Sequence, residues 1–552
     1  FKGYYHIFYQ YAPNHQMPFL EPMCWGHART KDFINFEELP IALYADMPYD
    51  SLGSWSGTAI VKDDTLYLFY ASVEKLPEAT EVYKDSPKET VSMAYSKDGI
   101  NFTKYEGNPI INDFPADGGC NFRDPAILEK DGEFWKSAPV SCDELVSGEV
   151  SRCVKLAVLD VFTQMTGQAV ELPWGILTGV RPGKLAHKLV DSGTAFAMLP
   201  DYLQEKYLLP VEQAELLTNI CKLQKQLVPD EKKEAGIYIG IPFCPSKCSY
   251  CSFPSGIVPK DEESQQNFLN FIEQDIKNVV KLLGVQNLNV TSLYIGGGTP
   301  TSLNEKVFAR LLQMAADNLL LPSIREFTVE AGRPDCFSQG KLAAMEAVGV
   351  NRISVNPQTF HDKTLKLIGR AHTIADFYKA YEMTAKSNIP VINTDLIIGL
   401  PGETEEDIAY SLEKAAELRP HNLTVHTLTL KRDSALFGSQ IGLPAESAAR
   451  MVRKGQEVAA EMGMHPYYLY RQHYMLGHLA NIGYALPGTE SIYNVQMMEE
   501  RHTVIGIGPS SATKLPHADG HHISRLSMPK NIFTYTSNIQ QLGEKRMLLF
   551  KE

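Results

Sequence analysis

The sequence predicts an α/β protein with a partial (β/α)6 barrel at its centre. Helical and α+β additions surround the barrel, and an incomplete all-β segment precedes it. Apolar strand-like runs alternate with amphipathic helical runs over residues 235–435, as in a parallel sheet. Short alternating runs broken by turn residues fill residues 1–136. The length of 552 residues also exceeds that of one ordinary domain.

Four segments follow from these changes in pattern: 1–136 (all-β), 137–234 (helical, ending in a charged linker), 235–435 (barrel) and 436–552 (mixed tail). The predicted barrel strands are residues 237–241, 290–295, 326–330, 352–355, 393–398 and 423–428. The predicted helices between them are 262–283, 305–318, 339–347, 374–386 and 405–418. Before the barrel, helical spacing begins near Ser147, and a further amphipathic helix is predicted over 200–227.

The all-β segment contains two hairpin patterns. Residues 58–70 turn at Asp63-Asp64, and residues 91–103 turn at Asp98-Gly99. Short strands at such close spacing predict either propeller blades or a β-sandwich.

Three cysteines stand together at the start of the barrel segment. Cys244, Cys248 and Cys251 have C-x3-C-x2-C spacing, and the next cysteine is Cys336. A four-iron cluster normally takes four thiolates, so three on one loop leave one iron open for a small molecule. The alternatives are a zinc site, which usually has four closed ligands, and buried free cysteines.

Polar residues and glycines accompany successive strands of the barrel segment. We expect them at one site, because barrel chemistry takes place at the carboxyl ends of strands. Glycines directly after a strand let backbone N–H groups approach an anionic ligand. Taken singly, each candidate is equally well explained as a structural residue. The candidates are Gly297, Gly298, Thr299, Glu330, Gln358, Arg370 and Asp395.

The composition limits the expected partners and compartment. The chain has 52 basic and 65 acidic residues, a net charge of −13, and no basic run, so we expect no nucleic-acid partner. No apolar run is long enough to span a bilayer, and no signal peptide is visible. An air-sensitive cluster suits a reducing cytoplasm. The chain begins with Phe1 rather than Met, so we expect its natural start to be missing.

Motifs in the first segment resemble the family 32 glycoside hydrolases, the invertases and sucrose-6-phosphate hydrolases. In chain order they are YHIFYQ (5–10), WGHA (25–28), WSGTA (55–59) and FRDP (122–125). The resemblance implies an incomplete fragment of a five-bladed propeller. It also implies that Asp124 stabilises a transition state and that Gln10, Trp25 and Trp55 line a sugar pocket.

We expect this fragment to be inactive. Retaining glycosidases need a carboxylate nucleophile and a carboxylic acid about 5 Å apart. The family's nucleophile precedes the strand that opens this chain, and its Glu-Cys acid/base motif does not follow Pro125; the nearest sequence is Cys142-Asp-Glu. Asp124 is then a vestigial residue in a turn.

Motifs of the barrel and tail resemble the radical S-adenosyl-L-methionine (SAM) enzymes of the oxygen-independent coproporphyrinogen III oxidase (HemN) type, and most of all their HemZ branch. They lie at 238–244, 296–301, 358–360, 369–372, 394–401, 468–472, 481–485, 493–494 and 498–503. The resemblance spans residues 145–552. It implies a radical SAM barrel, a [4Fe-4S] cluster on the three cysteines, and SAM contacts at the seven candidates above and at Tyr238. Gly240 departs from the family, since the best-studied branch has His there, and that branch's N-terminal segment is not recognisable here.

The resemblance further implies decarboxylation of coproporphyrinogen III to protoporphyrinogen IX, with flavodoxin or ferredoxin as electron donor. A hydrogen atom would be taken from a propionate, and loss of CO2 would leave a vinyl group. Arg471 with His473, and Arg181 with Lys184, are our candidates for binding the substrate carboxylates. Three alternatives stay open: a haem-binding chaperone of the same superfamily, a fructosidase, and a fusion that arose in gene assembly.

Overall fold

The computed structural model describes residues 1–13, 22–32, 35–74, 88–112, 129–130, 133–134, 147–167, 172–177, 179, 181–229, 234–431, 433–437, 443–517 and 522–551. The chain divides into two compact units, residues 1–171 and residues 172–552. Within the described ranges, no helix combines the length and apolar character that a bilayer span requires. The finer division into four segments stays a prediction.

The described part of the first unit contains three-, four- and two-stranded antiparallel sheets and one helix. Its strands are β1 (Tyr5–Tyr11), β2 (Cys24–Thr30), β3 (Phe36–Leu43), β4 (Gly53–Lys62), β5 (Thr65–Glu74), β6 (Lys88–Ser96), β7 (Thr103–Lys104), β8 (Glu129–Lys130) and β9 (Glu133–Phe134), followed by α1 (Ser147–Thr166). Both predicted hairpins are present. Asp63 and Asp64 have positive φ angles of 48° and 54°, as the tight turn between β4 and β5 requires.

The second unit begins with three helices, α2 (Pro182–Asp191), α3 (Leu199–Tyr207) and α4 (Val211–Leu227). The single helix predicted over residues 200–227 is therefore two helices. Leu208 adopts a left-handed conformation with φ of 56° and ends α3, and Pro210 stands immediately before α4. Because proline lacks an N–H group and disfavours a helical residue before it, the break was readable from the sequence.

An eleven-stranded sheet forms the centre of the second unit. Its strands are β10 (Glu234–Ile241), β13 (Asn289–Gly297), β14 (Glu326–Glu330), β15 (Arg352–Ser354), β16 (Val391–Ile398), β17 (Asn422–Thr427), β18 (His465–Tyr470), β19 (Asn481–Ala485), β20 (Thr503–Ile507), β21 (Ala512–Pro516) and β22 (Ile523–Ser527). Two short strands, β11 (Phe243–Cys244) and β12 (Gly256–Ile257), pair with each other outside this sheet. The helices of this part of the chain are α5 (Glu262–Gln286), α6 (Glu305–Leu319), α7 (Gln339–Ala347), α8 (Asp362–Leu367), α9 (Ile374–Ala385), α10 (Glu405–Leu418), α11 (Ala445–Glu461), α12 (Ile492–Glu499), α13 (Ile532–Ser537) and α14 (Ile539–Leu549).

The order of strands in this sheet is β18-β19-β17-β16-β15-β14-β13-β10-β20-β21-β22. The run from β10 to β17 is parallel and contains the six predicted strands in the predicted order, so the α/β class is confirmed. The strands of the tail continue the same sheet. β20 adds in parallel to β10, and β19 adds antiparallel to β17.

Burial explains why the parallel strands read as apolar runs. Ile237, Leu293 and Val329 are fully buried on three neighbouring strands, and Phe308 of α6 packs in the same core. A parallel sheet covered by helices needs apolar side chains on both faces of its strands. The polar residues that interrupt these runs are therefore the exceptions that locate a site.

Candidate functional site

A cavity of about 380 Å³ lies in the second unit, and residues of the parallel strands and of the loops that follow them line it. The eleven residues predicted to bind the cluster or SAM all line this cavity: Tyr238, Cys244, Cys248, Cys251, Gly297, Gly298, Thr299, Glu330, Gln358, Arg370 and Asp395. They come from five strands or the loops after them. The sheet therefore brings together residues that are more than 150 positions apart in the chain.

Cys244 ends β11, and Cys248 and Cys251 lie in the loop between β11 and its partner strand β12. Cys248 is buried, and Cys244 and Cys251 are partly buried. The Cys251 N–H donates to the Cys248 carbonyl at 3.1 Å, and the Ser249 N–H donates to the Ile368 carbonyl at 2.9 Å. Burial, with added repulsion from the other two thiolates, raises the pKa of Cys251. A bound cation would offset that cost of ionisation.

Arg333 holds this loop from the β14 side. Its Nη1 donates to the Cys248 Sγ at 3.5 Å and to the Ser246 carbonyl at 3.2 Å. Its Nε and Nη2 each donate to Asp335 at 3.0 Å, which fixes the plane of the guanidinium. Arg333, three residues after the end of β14, was not among the predicted site residues.

The three cysteines do not converge on a point. In the part of the chain that the structure describes, no group of three His, Cys, Asp or Glu side chains is arranged to hold a single metal ion. Each thiolate of an iron–sulfur cluster binds its own iron, so ligands of a cluster need not converge as zinc ligands do.

The glycines after β13 pack against the cysteine segment. The Gly298 N–H donates to the Ile241 carbonyl at 2.8 Å, and the Thr299 N–H donates to the Phe243 carbonyl at 2.6 Å. A Cβ on Gly298 would lie 2.4 Å from the Phe243 carbonyl oxygen, and Gly297 has a φ of 114°. The N–H groups of Gly298 and Thr299 are therefore bonded within the protein, and binding of an anion by the glycine run stays a prediction. The glycines are required for close backbone packing under the cavity.

Glu330 ends β14 and faces two donors. The Tyr294 hydroxyl donates to it at 2.6 Å, and the Gly297 N–H donates at 3.2 Å. Burial and the charge of Asp395 raise the pKa of Glu330, and the two hydrogen bonds lower it. The net result is a pKa raised to about 7. Glu330 therefore changes protonation state near neutral pH.

Asp395 of β16 has partners supplied by the protein. Asn356 and Asn393 each donate a side-chain amide N–H to it at 2.8 Å, and the His426 Nε2 lies 3.7 Å away. Burial alone would raise the pKa of Asp395, but the contacts with His426 and Asn393 outweigh it and hold the pKa below its ordinary value. Asp395 is thus an ionised acceptor on the cavity wall.

Gln358 and Arg370 are held by the backbone around them. Gln358 has a φ of 68°, and its N–H donates to the Asp395 carbonyl at 3.1 Å. Arg370 donates to the carbonyls of Gly332 and Asn356 and to the Tyr250 hydroxyl. A buried arginine committed to three acceptors fixes the cavity wall.

Two residues that the sequence did not single out, Tyr294 and Lys431, also line the cavity. The rings of Tyr294 and Tyr493 stack with centroids 4.3 Å apart, next to Tyr238. Lys431 follows β17 by four residues and lines the cavity. Burial lowers the pKa of Lys431, and the Cys251 thiolate opposes that shift.

The predicted carboxylate-binding residues lie elsewhere. Arg471 donates to the Leu177 and His478 carbonyls, and its guanidinium stacks 5.5 Å from the Trp174 ring centre. Arg181 and Lys184 form ion pairs with Glu500 at 2.8 Å and 3.4 Å. Neither these three residues nor His473 line the cavity, so this prediction is wrong.

In the first unit, the predicted glycosidase residues are only partly described. Asp124 lies outside the described residues. Trp25 is buried, and its indole N–H donates to the Trp55 carbonyl at 2.5 Å; the Gln10 amide donates to the Ser54 carbonyl at 3.3 Å. Trp25 therefore acts as a core residue in this structure.

Two family models match the chain. Residues 1–146 match the N-terminal domain of the family 32 glycosyl hydrolases, and residues 238–415 match the radical SAM superfamily. The radical SAM superfamily uses a [4Fe-4S] cluster and SAM. The cavity fits that pair of cofactors, because three thiols of one loop and the ionised acceptor Asp395 line it together.

Curated relatives match large parts of the chain. The oxygen-independent coproporphyrinogen-III oxidase-like protein HemZ of Bacillus subtilis is 38% identical over 428 residues, which is 76% of this chain and 85% of the relative. The heme chaperone HemW of Bacillus subtilis is 34% identical over 240 residues, 42% of this chain and 61% of the relative. A crystal structure of Escherichia coli HemN covers 58% of this chain and 73% of its own, with 21% identity and a TM-score of 0.46. The chain belongs to the family of oxygen-independent coproporphyrinogen-III oxidase-like radical SAM proteins.

Proposed function

We propose that this protein is a radical SAM oxidoreductase that converts coproporphyrinogen III to protoporphyrinogen IX without oxygen. The observation that carries the proposal is that the eleven residues predicted for the cluster and SAM all line one cavity. The 38% identity to a HemZ protein over 85% of its length supports the substrate. Flavodoxin or ferredoxin is the proposed class of electron donor, and the cytoplasm the proposed compartment.

Cys244, Cys248 and Cys251 would hold the cluster, with one iron left open to SAM. When bound, the cluster and SAM supply the one-electron chemistry that removes a hydrogen atom from an unactivated carbon. Arg333 stabilises the negative charge on the Cys248 sulfur through its 3.5 Å contact.

The remaining predicted residues would orient SAM. Asp395, kept ionised by its neighbours, accepts hydrogen bonds from a ribose diol. Glu330 lies beside Tyr238 and accepts from either a ribose hydroxyl or an ammonium group. Gln358 and Arg370 hold the adjoining wall, so the bound group meets preformed partners rather than mobile ones.

The test uses protein reconstituted anaerobically with iron and sulfide. We expect about four irons per chain, SAM cleavage with a reductant, and loss of CO2 from coproporphyrinogen III followed by mass. Asp395→Asn keeps the size of the side chain but removes its charge, and should weaken SAM binding without loss of iron. Wild-type protein that cleaves SAM but leaves coproporphyrinogen III unchanged would overturn the substrate.

The second candidate function is that of a haem-binding chaperone, which the match to heme chaperones favours. A chaperone should bind haem with a stoichiometry near one and release no CO2. Titration of the reconstituted protein with haem, in parallel with the decarboxylation assay, separates the two functions. Tight haem binding without product favours the chaperone.

A further inference from the structure

Four lysine and arginine side chains line the described cavity wall: Arg333, Arg352, Arg370 and Lys431. Three of them are committed to the protein. Arg333 forms two hydrogen bonds of 3.0 Å with Asp335. Arg352 and Arg370 donate to carbonyl and amide oxygens around them. Their charges fix the wall and are not directed at a ligand.

Lys431 is different. Across the described ranges, its ammonium group forms no hydrogen bond or ion pair with the protein, although the side chain is half-buried. The two carboxylates of the wall do not serve it, because Glu330 accepts from Tyr294 and Gly297, and Asp395 accepts from two asparagines. The Cys251 thiolate acts on Lys431 through its charge, but no acceptor is bonded to the ammonium group. A partly desolvated cation without a bonded acceptor costs free energy, which a bound anion would offset.

The backbone holds Lys431 in place on both sides. The Leu430 N–H donates to the Tyr474 carbonyl at 3.2 Å, and the Ser434 N–H and hydroxyl both donate to the Lys431 carbonyl at 2.9 Å. Further on, the Leu436 N–H donates to the Ser249 carbonyl at 3.1 Å, which ties this segment to the cysteine loop. The position of Lys431 relative to Cys251 is therefore set before any ligand binds.

We propose that Lys431 binds a carboxylate of the substrate on the wall that also carries the cysteine loop. This inference rests on the proposed function, whose substrate has propionate side chains. Gln472 lines the same cavity and offers an amide. Phe253, 61% exposed, offers a ring face to a pyrrole. A ligand that joins flat rings to carboxylates matches these three groups.

The experiment measures binding of coproporphyrin III, the stable fluorescent form with the same four propionates, to reconstituted protein with SAM. Its tetramethyl ester, which lacks the charges, is the matched ligand. Lys431→Gln should weaken binding of the acid about tenfold or more and leave binding of the ester unchanged. Lys431→Arg should restore most of the affinity. Lys247→Gln is the control, because Lys247 is exposed on the cysteine loop and does not line the cavity.

Three results overturn the inference: equal affinity of Lys431→Gln and wild type for the acid, an equal loss in Lys247→Gln, or a loss of iron or SAM affinity in Lys431→Gln. The last result would assign Lys431 to the cofactors.

Failure of the proposed function can be told apart from failure of this inference. If wild type binds the acid through Lys431 but releases no CO2, decarboxylation is wrong and the carboxylate site stands. If wild type decarboxylates and Lys431→Gln has the same KM, only the carboxylate site is wrong.

Discussion

The residues of the family motifs occupy different kinds of position in the two units. In the second unit, predicted residues from five strands and loops face one cavity. In the first unit, a cavity of about 500 Å³ is lined by residues between Ala42 and Asn108, and it includes none of Gln10, Trp25 or Trp55. Trp25 instead packs with Leu68 and Tyr70 in a small core.

This difference separates residues that pack a core from residues that form a site. Packing alone explains Trp25, since a buried tryptophan contributes a large apolar area. Packing does not explain the ionised Asp395, because its partial burial costs free energy unless a ligand or partner offsets it. A motif of polar residues is thus better grounds for function than a motif of aromatic residues.

The largest effect should follow from removing a cysteine of the loop. Cys248→Ala should abolish iron binding after anaerobic reconstitution, because two thiolates leave two irons without protein ligands. Iron content and the visible absorbance of the cluster measure the loss. β4–β6 of the first unit should stay folded, which protection from proteolysis would report.

The matched control for this variant is Cys336→Ala. Cys336 is partly buried and does not line the cavity, so its removal should leave the iron content unchanged. Loss of iron in Cys336→Ala would identify a fourth protein ligand and contradict the open iron. Zinc rather than iron in the wild-type protein would contradict the cluster altogether.

The parallel strands could be predicted because each is buried on both faces and so reads as an apolar run. The site could be predicted where a residue interrupts or ends such a run, as Glu330 and Asp395 do. The hydrogen bonds of the glycine run could not be predicted, because the acceptors of Gly298 and Thr299 lie in two other strands, on Ile241 of β10 and Phe243 of β11.

The substrate cations were mispredicted for a related reason. Arg471 stands in an aromatic, basic stretch, but its acceptor is the carbonyl of Leu177, 294 positions away. Lys431 has no sequence signal, since a lysine after a strand is ordinary. The folded structure shows which cations already have partners and which one can still bind a ligand. Local sequence spacing does not reveal partners that lie far away in the chain.

A moderate effect is expected from pH in the second unit. Glu499 ends α12 and is buried against α4, where its Oε1 accepts from the Gln224 amide at 3.0 Å. Burial raises its pKa to about 7 from 4.5; Gln224 and the charges of Arg181 and Arg501 oppose the rise. The pKa of Glu499 is higher in the folded state than in the unfolded state. Its contribution to the free energy of unfolding is therefore full below about pH 4.5 and is lost as the pH rises through 7.

Wild type should therefore lose about 1–3 kcal/mol of stability relative to Glu499→Gln between pH 5.5 and pH 8.5. Urea-dependent proteolysis, with peptides of α12 and of β4–β6 quantified separately, measures both units in one sample. The exposed Glu413→Gln should keep the wild-type slope. A slope that persists in Glu499→Gln would assign the titration to a neighbour such as His187, whose Nε2 lies 3.9 Å away.

The last prediction is that the first unit has no glycosidase activity, so removal of Asp124 should have no effect. The chain should not hydrolyse sucrose or sucrose 6-phosphate, and Asp124→Ala should change nothing. Hydrolysis with retention needs a carboxylic acid to protonate the leaving oxygen, and no Glu-Cys motif follows Pro125 in the sequence. One remaining carboxylate can stabilise positive charge but cannot supply that proton. Release of glucose, followed by a coupled assay, checks this. Hydrolysis that disappears in Asp124→Ala and persists in Cys248→Ala would show that the first unit has a working site. Both units would then be active, and they would differ in their substrates.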